Sequence, residues 1–170
     1  MISIFLGNRI ECLRVLQEFT EVKLVVTSKD SCVDFFFREN KKKIIIKKSN
    51  ILNIFKLIKF GPQNLILSSG FTKIIPKHFI PKDKIIINSH PSLLPDFKGL
   101  RPIKDAIRDK KKIIGVTTHL MNEKLDAGKI ISKKKFNNNI ILSSYSIHKY
   151  CFTIVEPINL RNTLKLFVKF

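Results

Sequence analysis

The 170-residue sequence predicts an α/β fold, Rossmann-like, with a mostly parallel twisted sheet flanked by helices. Three observations carry this. Short runs rich in Ile, Val and Leu recur along the chain, the segments between several of them place apolar residues at helical spacing, and the order strand, helix, strand begins at once. Strands joined by a crossover helix run parallel. No internal repeat or linker-like composition divides the chain, so residues 1–170 are expected to form a single domain.

In order, Ile2 to Gly7 reads as a strand, with Cys12, Leu13, Val15 and Leu16 forming the apolar stripe of a helix and Val22 to Thr27 a second strand. Val33 to Phe37 fits either type, and its adjacent phenylalanines are expected in the core. Ile44-Ile45-Ile46 reads as a third strand, Asn50 as the cap of a helix over Ile51 to Phe60, and Gly61-Pro62 as its stop. Asn64 to Ser69 is a buried strand ending in the turn Gly70-Phe71-Thr72-Lys73, and Lys84 to Asn88 is its neighbour. Pro102 to Arg108 allows one or two helical turns with Pro102 at the first position. Ile113 to Leu120 and Lys129 to Phe136 are strands, with Asn137-Asn138-Asn139 a turn between the second of them and a long helix from Ser144 to about Val168, kinked or broken at Pro157.

Hydrophobic content of 44% and a mean hydropathy of +0.04 belong to a globular chain, and no apolar run approaches a membrane span. The apolar start Met1 to Gly7 is too short for a secretory signal, and its charge, Arg9, follows the apolar run instead of preceding it, so cytoplasmic residence is expected. Cys12, Cys32 and Cys151 are odd in number and scattered, which suits reduced, mostly buried thiols and no metal site. A formal charge of +19 normally points to nucleic acid. Only six of the 32 basic residues are arginine, however, and a lysine-, isoleucine- and asparagine-rich composition is what base-compositional drift produces. Read as a string, the chain pairs that charge with no aromatic-and-basic recognition motif.

The stretch that speaks for chemistry is Asn88-Ser89-His90-Pro91-Ser92-Leu93-Leu94-Pro95-Asp96-Phe97-Lys98-Gly99, a polar loop stiffened by two prolines at the end of a strand. Downstream lie Gly115-Val116-Thr117-Thr118-His119 and Leu125-Asp126-Ala127-Gly128-Lys129-Ile130-Ile131. An amide at Asn88 can donate to a carbonyl oxygen that gains charge, and His90, two residues on, projects to the same face of a strand. A carboxylate such as Asp126 stabilises a cationic imidazole. Alone, each of these residues is more often a turn former or a satisfied polar group.

Together the three blocks resemble the folate-dependent formyltransferases, with their Asn-x-His…Asp triad and HPSLLP-type loop. The resemblance covers roughly Leu65 to Ile131 and implies the formyltransferase fold, residues 1–170 as one catalytic domain, and formyl transfer from the co-substrate 10-formyltetrahydrofolate to a primary amine, without a metal. It implies Asn88, His90 and Asp126 as catalytic, with Thr117 and His119 in support. Gly70, Phe71, Leu125, Ala127 and Gly128 would line the folate pocket, and Asn8, Arg9, Ser89, Pro91 and Glu156 would contact the acceptor. For Gly128 a backbone bend is an alternative, and for Phe71 plain core packing. In this family the Leu-Pro bond of the loop is cis, so a cis bond is expected at Leu94-Pro95.

The acceptor is less defined. HPSLLP and the GxTxH strand match glycinamide ribonucleotide formyltransferases, and the sugar-nucleotide amine formyltransferases tolerate a different first turn. The expected acceptor is therefore a small amine, phosphorylated or nucleotide-linked. Gly7-Asn8-Arg9-Ile10 has a single glycine where a phosphate-binding turn would have several, so it offers fewer backbone N–H groups. Pro102, Ile103, Ala106 and Ile107 match methionyl-tRNA formyltransferases, whose tRNA partner would suit the charge; that reading is of a core without the usual C-terminal domain. From another class, an inactive folate- or RNA-binding module is the competing reading.

Overall fold

A computed structural model of the chain describes residues 1–36, 43–138 and 143–167. Seven strands are ordered β3-β2-β1-β4-β5-β6-β7: β1 (Ile2–Gly7), β2 (Glu21–Thr27), β3 (Lys43–Ile45), β4 (Leu65–Ser69), β5 (Ile85–His90), β6 (Ile113–Leu120) and β7 (Ile130–Asn137). The helices are α1 (Ile10–Phe19), α2 (Cys32–Phe36), α3 (Ile51–Phe60), α4 (Pro102–Arg108), α5 (Ser144–Tyr150) and α6 (Glu156–Leu164). The mostly parallel sheet with flanking helices matches the fold expected from the sequence. Two compact units divide the chain, Met1–Asn88 and Ser89–Phe170.

In the first unit β1 pairs parallel with both β2 and β4, and β2 with β3. Parallel sheets are covered on both faces, and β4 is buried at every position from Leu65 to Ser69. Helix α1 buries Cys12, Leu13, Val15 and Leu16, the stripe its sequence spacing marks. Helix α3 buries Ile54, Phe55 and Ile58 and ends at Gly61, whose N–H donates to Leu57 O at 2.9 Å. Asn50 behaves differently from expectation. Its side chain accepts from Lys47 N and donates to Ile45 O, both at 2.9 Å, so it closes the 3-10 turn Lys48–Asn50 and makes no side-chain cap on α3. The phenylalanines expected in the core also differ: within α2 only Val33 is buried, and Phe35 and Phe36 are 52% and 53% exposed. A helix of five residues has room for one inward position. Phe37 lies outside the described residues, as do Asn139 and Val168.

In the second unit β6 and β7 pair antiparallel, and Ile103, Ala106, Ile114, Val116, Ile147, Cys151 and Val155 form the core. A polar seam ties α6 to the two strands: Ser132 Oγ donates to Asn159 Oδ1 at 2.9 Å and meets Thr163 Oγ1 at 2.9 Å, and Thr118 Oγ1 bonds Thr163. The expected long terminal helix is two helices joined by a π turn over Cys151–Val155. The cause is Pro157, which has no N–H to donate and whose ring collides with a carbonyl four residues back, so the ladder widens just before it. All three cysteines are free; Cys12 and Cys151 are buried and Cys32 is exposed. Among the described residues no helix is long and apolar enough to cross a membrane.

These placements separate two substitutions that look alike on paper. Leu67→Ala, at a fully buried position, is expected to cost about 2–5 kcal/mol in urea unfolding, because it leaves a cavity. Phe35→Ser is expected to stay within about 1 kcal/mol.

Candidate active site

Strand β5 ends in Asn88-Ser89-His90. Asn88 is half-buried, Ser89 is buried with its Oγ lacking a hydrogen-bond partner among the described residues, and His90 is 5% exposed. Period two places Asn88 and His90 on one face of the strand and Ser89 on the other.

The second unit surrounds His90 with backbone and charge. Its Nε2 lies 2.9 Å from Phe97 O, and its Nδ1 lies 3.6 Å from Asp126 Oδ2. On the other side of the same carboxylate, His119 Nε2 lies 3.7 Å from Asp126 Oδ1, while His119 Nδ1 lies 2.9 Å from Leu120 O. A backbone carbonyl can only accept, so each imidazole carries a hydrogen on the nitrogen that faces it. In a singly protonated ring the other nitrogen is then an acceptor. Asp126 therefore sits where a second proton on either ring is met by a carboxylate oxygen. Asp126 is 9% exposed and accepts from Gly99 N at 2.9 Å. Burial pushes its carboxyl upward, but the hydrogen bond from His119, the Gly99 N–H and the neighbouring imidazoles outweigh burial and hold it below its ordinary value of 3.8.

Three local features bring these groups together. Asp126 has φ 47° and Phe97 φ 53°, the left-handed region that costs an L-residue about 1–2 kcal/mol. Gly128 lets its loop lie against the end of β6, because a Cβ there would sit 1.6 Å from Leu120 O and 3.4 Å from His119 Nδ1. The chain bends at Gly128, as the sequence reading expects; its φ is outside the glycine-specific region, so the close approach is what requires glycine. The loop between His90 and Gly99 is clamped from β6 and β7. Thr117 Oγ1 donates to Ser92 O at 2.7 Å and accepts from Leu94 N at 3.1 Å, Ser92 Oγ donates to Asp96 O at 2.7 Å, and the Lys133 ammonium donates to Leu94 O. The Leu94-Pro95 bond is cis, as expected. Thr117 and His119, expected as supports, are both buried here; Lys133 and the Phe97 and Gly99 backbone groups were not foreseen, because a lysine inside Lys133-Lys134-Lys135 and a carbonyl carry no sequence signal.

The remaining expected site residues are spread over both units. Leu125 and Ala127 flank Asp126 and are exposed, Pro91 is half-buried, and Glu156 is 1% exposed in the first turn of α6. In the first unit Gly70 has φ 72°, and a Cβ there would lie 3.3 Å from Arg9 Cγ; Phe71 beside it is half-buried. Asn8 holds this turn to the end of β2. Its Oδ1 accepts from Thr27 Oγ1 at 2.9 Å and Ser28 N at 3.0 Å, and its Nδ2 donates to Ser28 Oγ at 3.2 Å and Gly70 O at 3.4 Å. Two acceptances and two donations use the whole capacity of an amide, which weighs against Asn8 as a substrate contact.

Two outcomes follow from this geometry. A carboxyl whose folded pKa is depressed contributes stability above its unfolded pKa and loses it as pH falls through the folded one. Thermal unfolding of the native chain should therefore steepen its decline below about pH 4, and Asp126→Asn should flatten that acid limb. Thr117→Val keeps the shape but leaves Ser92 O and Leu94 N without their partner; a loss of about 1–3 kcal/mol is expected in chemical unfolding.

Comparison with known proteins bears on the family and the fold. The profile of the formyl transferase family matches residues 48–148. The methionyl-tRNA formyltransferase of Borreliella afzelii is 38% identical over 108 residues, 62% of this chain and 33% of that protein. That of Campylobacter lari is 41% identical over 86 residues, 51% of this chain and 27% of its own length. The match thus spans about a third or less of the length of these relatives. Among solved structures, phosphoribosylglycinamide formyltransferase from Anaplasma phagocytophilum aligns at a TM-score of 0.83 over 98% of this chain and 85% of that one, at 24% identity, a likeness of fold. The enzyme of the same name from Campylobacter jejuni aligns at 0.77 over 98% and 96%, at 25% identity. With a profile that matches more than half of its residues, the chain belongs to the formyl transferase family.

Proposed function

We propose that this chain transfers a formyl group from 10-formyltetrahydrofolate to a primary amine, residues 1–170 acting as one catalytic domain. The observation that carries this reading is the buried Asp126 carboxylate between the imidazoles of His90 and His119, on the chain segment that follows Asn88. The amine nitrogen attacks the formyl carbon, and the carbonyl electron pair moves onto oxygen. Asn88 Nδ2 donates to that oxygen, worth about 10²–10³ in rate for one such donor. His90, with Asp126 opposite its Nδ1, carries the proton that the attacking amine gives up and delivers it as the bond from formyl carbon to the folate nitrogen breaks, worth about 10²–10⁴. Tetrahydrofolate and the formamide leave. Gly70, Phe71, Leu125, Ala127 and Gly128 are the proposed folate contacts, and Arg9, Pro91 and Glu156 the proposed acceptor contacts. The free thiols suit a cytoplasmic, reducing compartment.

For the acceptor, two observations favour the amine of an aminoacyl-tRNA over a small phosphorylated amine. The higher identities lie with methionyl-tRNA formyltransferases, and the side chain of Asn8, in the turn where a phosphate would sit, is fully engaged. Steady-state assays with 10-formyltetrahydrofolate against methionyl-tRNA, glycinamide ribonucleotide and an amino-sugar nucleotide test both points. Transfer to at least one amine is expected, with kcat lowered about 10²-fold or more in Asn88→Ala and His90→Ala and by a comparable factor in Asp126→Asn. A chain that binds the folate yet formylates none of the three would be a binding module instead.

A further inference from the structure

The first unit carries a pocket at the ends of β4 and β5 opposite to Gly70 and Asn88. It is open, about 680 Å³ in volume, and lined by Lys59, Phe60, Lys77, His78, Ile80, Pro81, Lys82 and Asp83. That volume lies in the range of small-ligand sites, about 300–1,000 Å³. Three lysines and a histidine face a single carboxylate, and Phe60 at the last position of α3 is 72% exposed. Lys59 Nζ lies 5.2 Å from the centroid of that ring. Such an aromatic is left over from the packing of α3, whose inward face is supplied by Ile54, Phe55 and Ile58.

A helix C-terminus would ordinarily repel an anion through its bare carbonyls. Here two of the last four, those of Leu57 and Ile58, are engaged, as is the carbonyl of Gly61 just beyond the helix. Leu57 O accepts from Gly61 N and from Gln63 Nε2, Ile58 O accepts from Gln63 Nε2 at 3.1 Å, and Gly61 O accepts the Lys84 ammonium. The opposite wall is fixed as well: His78 stacks on Phe79 at 4.2 Å between centroids, and Phe79 packs on Phe55 at 5.6 Å. The pocket therefore combines cationic side chains, an exposed aromatic residue and a helix end whose carbonyls are partly engaged by donors. Folding brings residues 59–60 beside 77–83 and so gathers into one pocket basic and aromatic residues that lie far apart in the sequence.

We propose that this pocket binds single-stranded nucleic acid, with Lys59, Lys77 and Lys82 on successive phosphates and Phe60 beneath a base. An acidic peptide would satisfy the lysines but has no flat ring for Phe60, which is why nucleic acid is the better occupant. The site is independent of the formyl-transfer reading. Fluorescence anisotropy of the full chain with a labelled oligouridylate dodecamer, and in parallel an oligothymidylate, tests it across a salt series. Binding of both at low salt is expected, and in Lys77→Gln/Lys82→Gln the slope of log K against log salt should fall by about 1.4, at about 0.7 per lost single-strand phosphate contact. Phe60→Ala should weaken binding about 5- to 100-fold with the slope unchanged, and Phe60→Leu, which keeps apolar bulk, should not restore it. The control Lys48→Gln/Lys104→Gln removes the same charge from exposed positions outside the pocket and should leave slope and affinity near the native values. The proposal is overturned by no binding at low salt, by an equal effect of control and pocket variants, or by oligoglutamate displacing the probe from a Phe60→Ala chain that binds as tightly as the native one.

Discussion

The arrangement around Asp126 rests on one electrostatic constraint: a carboxylate that is 9% exposed must be compensated locally, or burial would neutralise it. One backbone N–H, from Gly99, and two neighbouring imidazoles contribute to the compensation. Each imidazole already donates to a backbone carbonyl, of Phe97 or Leu120, so each meets Asp126 with its other ring nitrogen. The cluster thus stores the capacity to hold one proton among three groups. That is what a reaction in which an amine loses a proton and a leaving nitrogen gains one requires.

Much of the surrounding structure of the second unit follows from holding those three groups in place. Gly128 cannot carry a side chain because its loop presses on Leu120 O, and that pressure is what sets Asp126 beside His119. Phe97 takes a left-handed backbone conformation and its carbonyl orients His90. The intervening loop cannot drift, since Thr117 bridges its backbone at Ser92 and Leu94 and the Lys133 ammonium holds Leu94 O. Strain at individual residues is tolerated where neighbouring bonds over-determine the geometry, and such residues gather at sites of function.

The parts legible in the sequence were those with local rules. Periodicity marked α1 and the buried strands, and a motif of contiguous residues marked Asn88, His90 and the Leu94-Pro95 bond. What escaped were effects that depend on several segments at once. Phe35 and Phe36 are apolar, but a five-residue helix offers a single inward position, taken by Val33. Asn50 has the residue type of a helix cap, but the carbonyl of Ile45 and the N–H of Lys47 captured its side chain first. Pro157 was read as a kink or a break; that the ladder widens into a π turn over Cys151–Val155 ahead of it is a detail that the residue type alone does not report. Lys133 is one of three adjacent lysines, and only the register of β7 against β6 selects it for Leu94.

Asn8 shows how the same reasoning bears on specificity. An asparagine after the first strand invites assignment to a ligand, and the residue type alone cannot argue otherwise. Its four hydrogen bonds to Thr27, Ser28 and Gly70 make it a strut between the ends of β1, β2 and β4. A phosphate arriving there would have to break bonds already made, at a cost of roughly 0.5–1.5 kcal/mol each, with only one glycine in the turn to supply free backbone N–H groups. A turn whose asparagine side chain is already engaged suits an acceptor recognised mainly through groups other than a terminal phosphate. In the proposed function the chemistry and the choice of amine are therefore separate questions, the first put to Asp126 and its two histidines and the second to the first-strand turn.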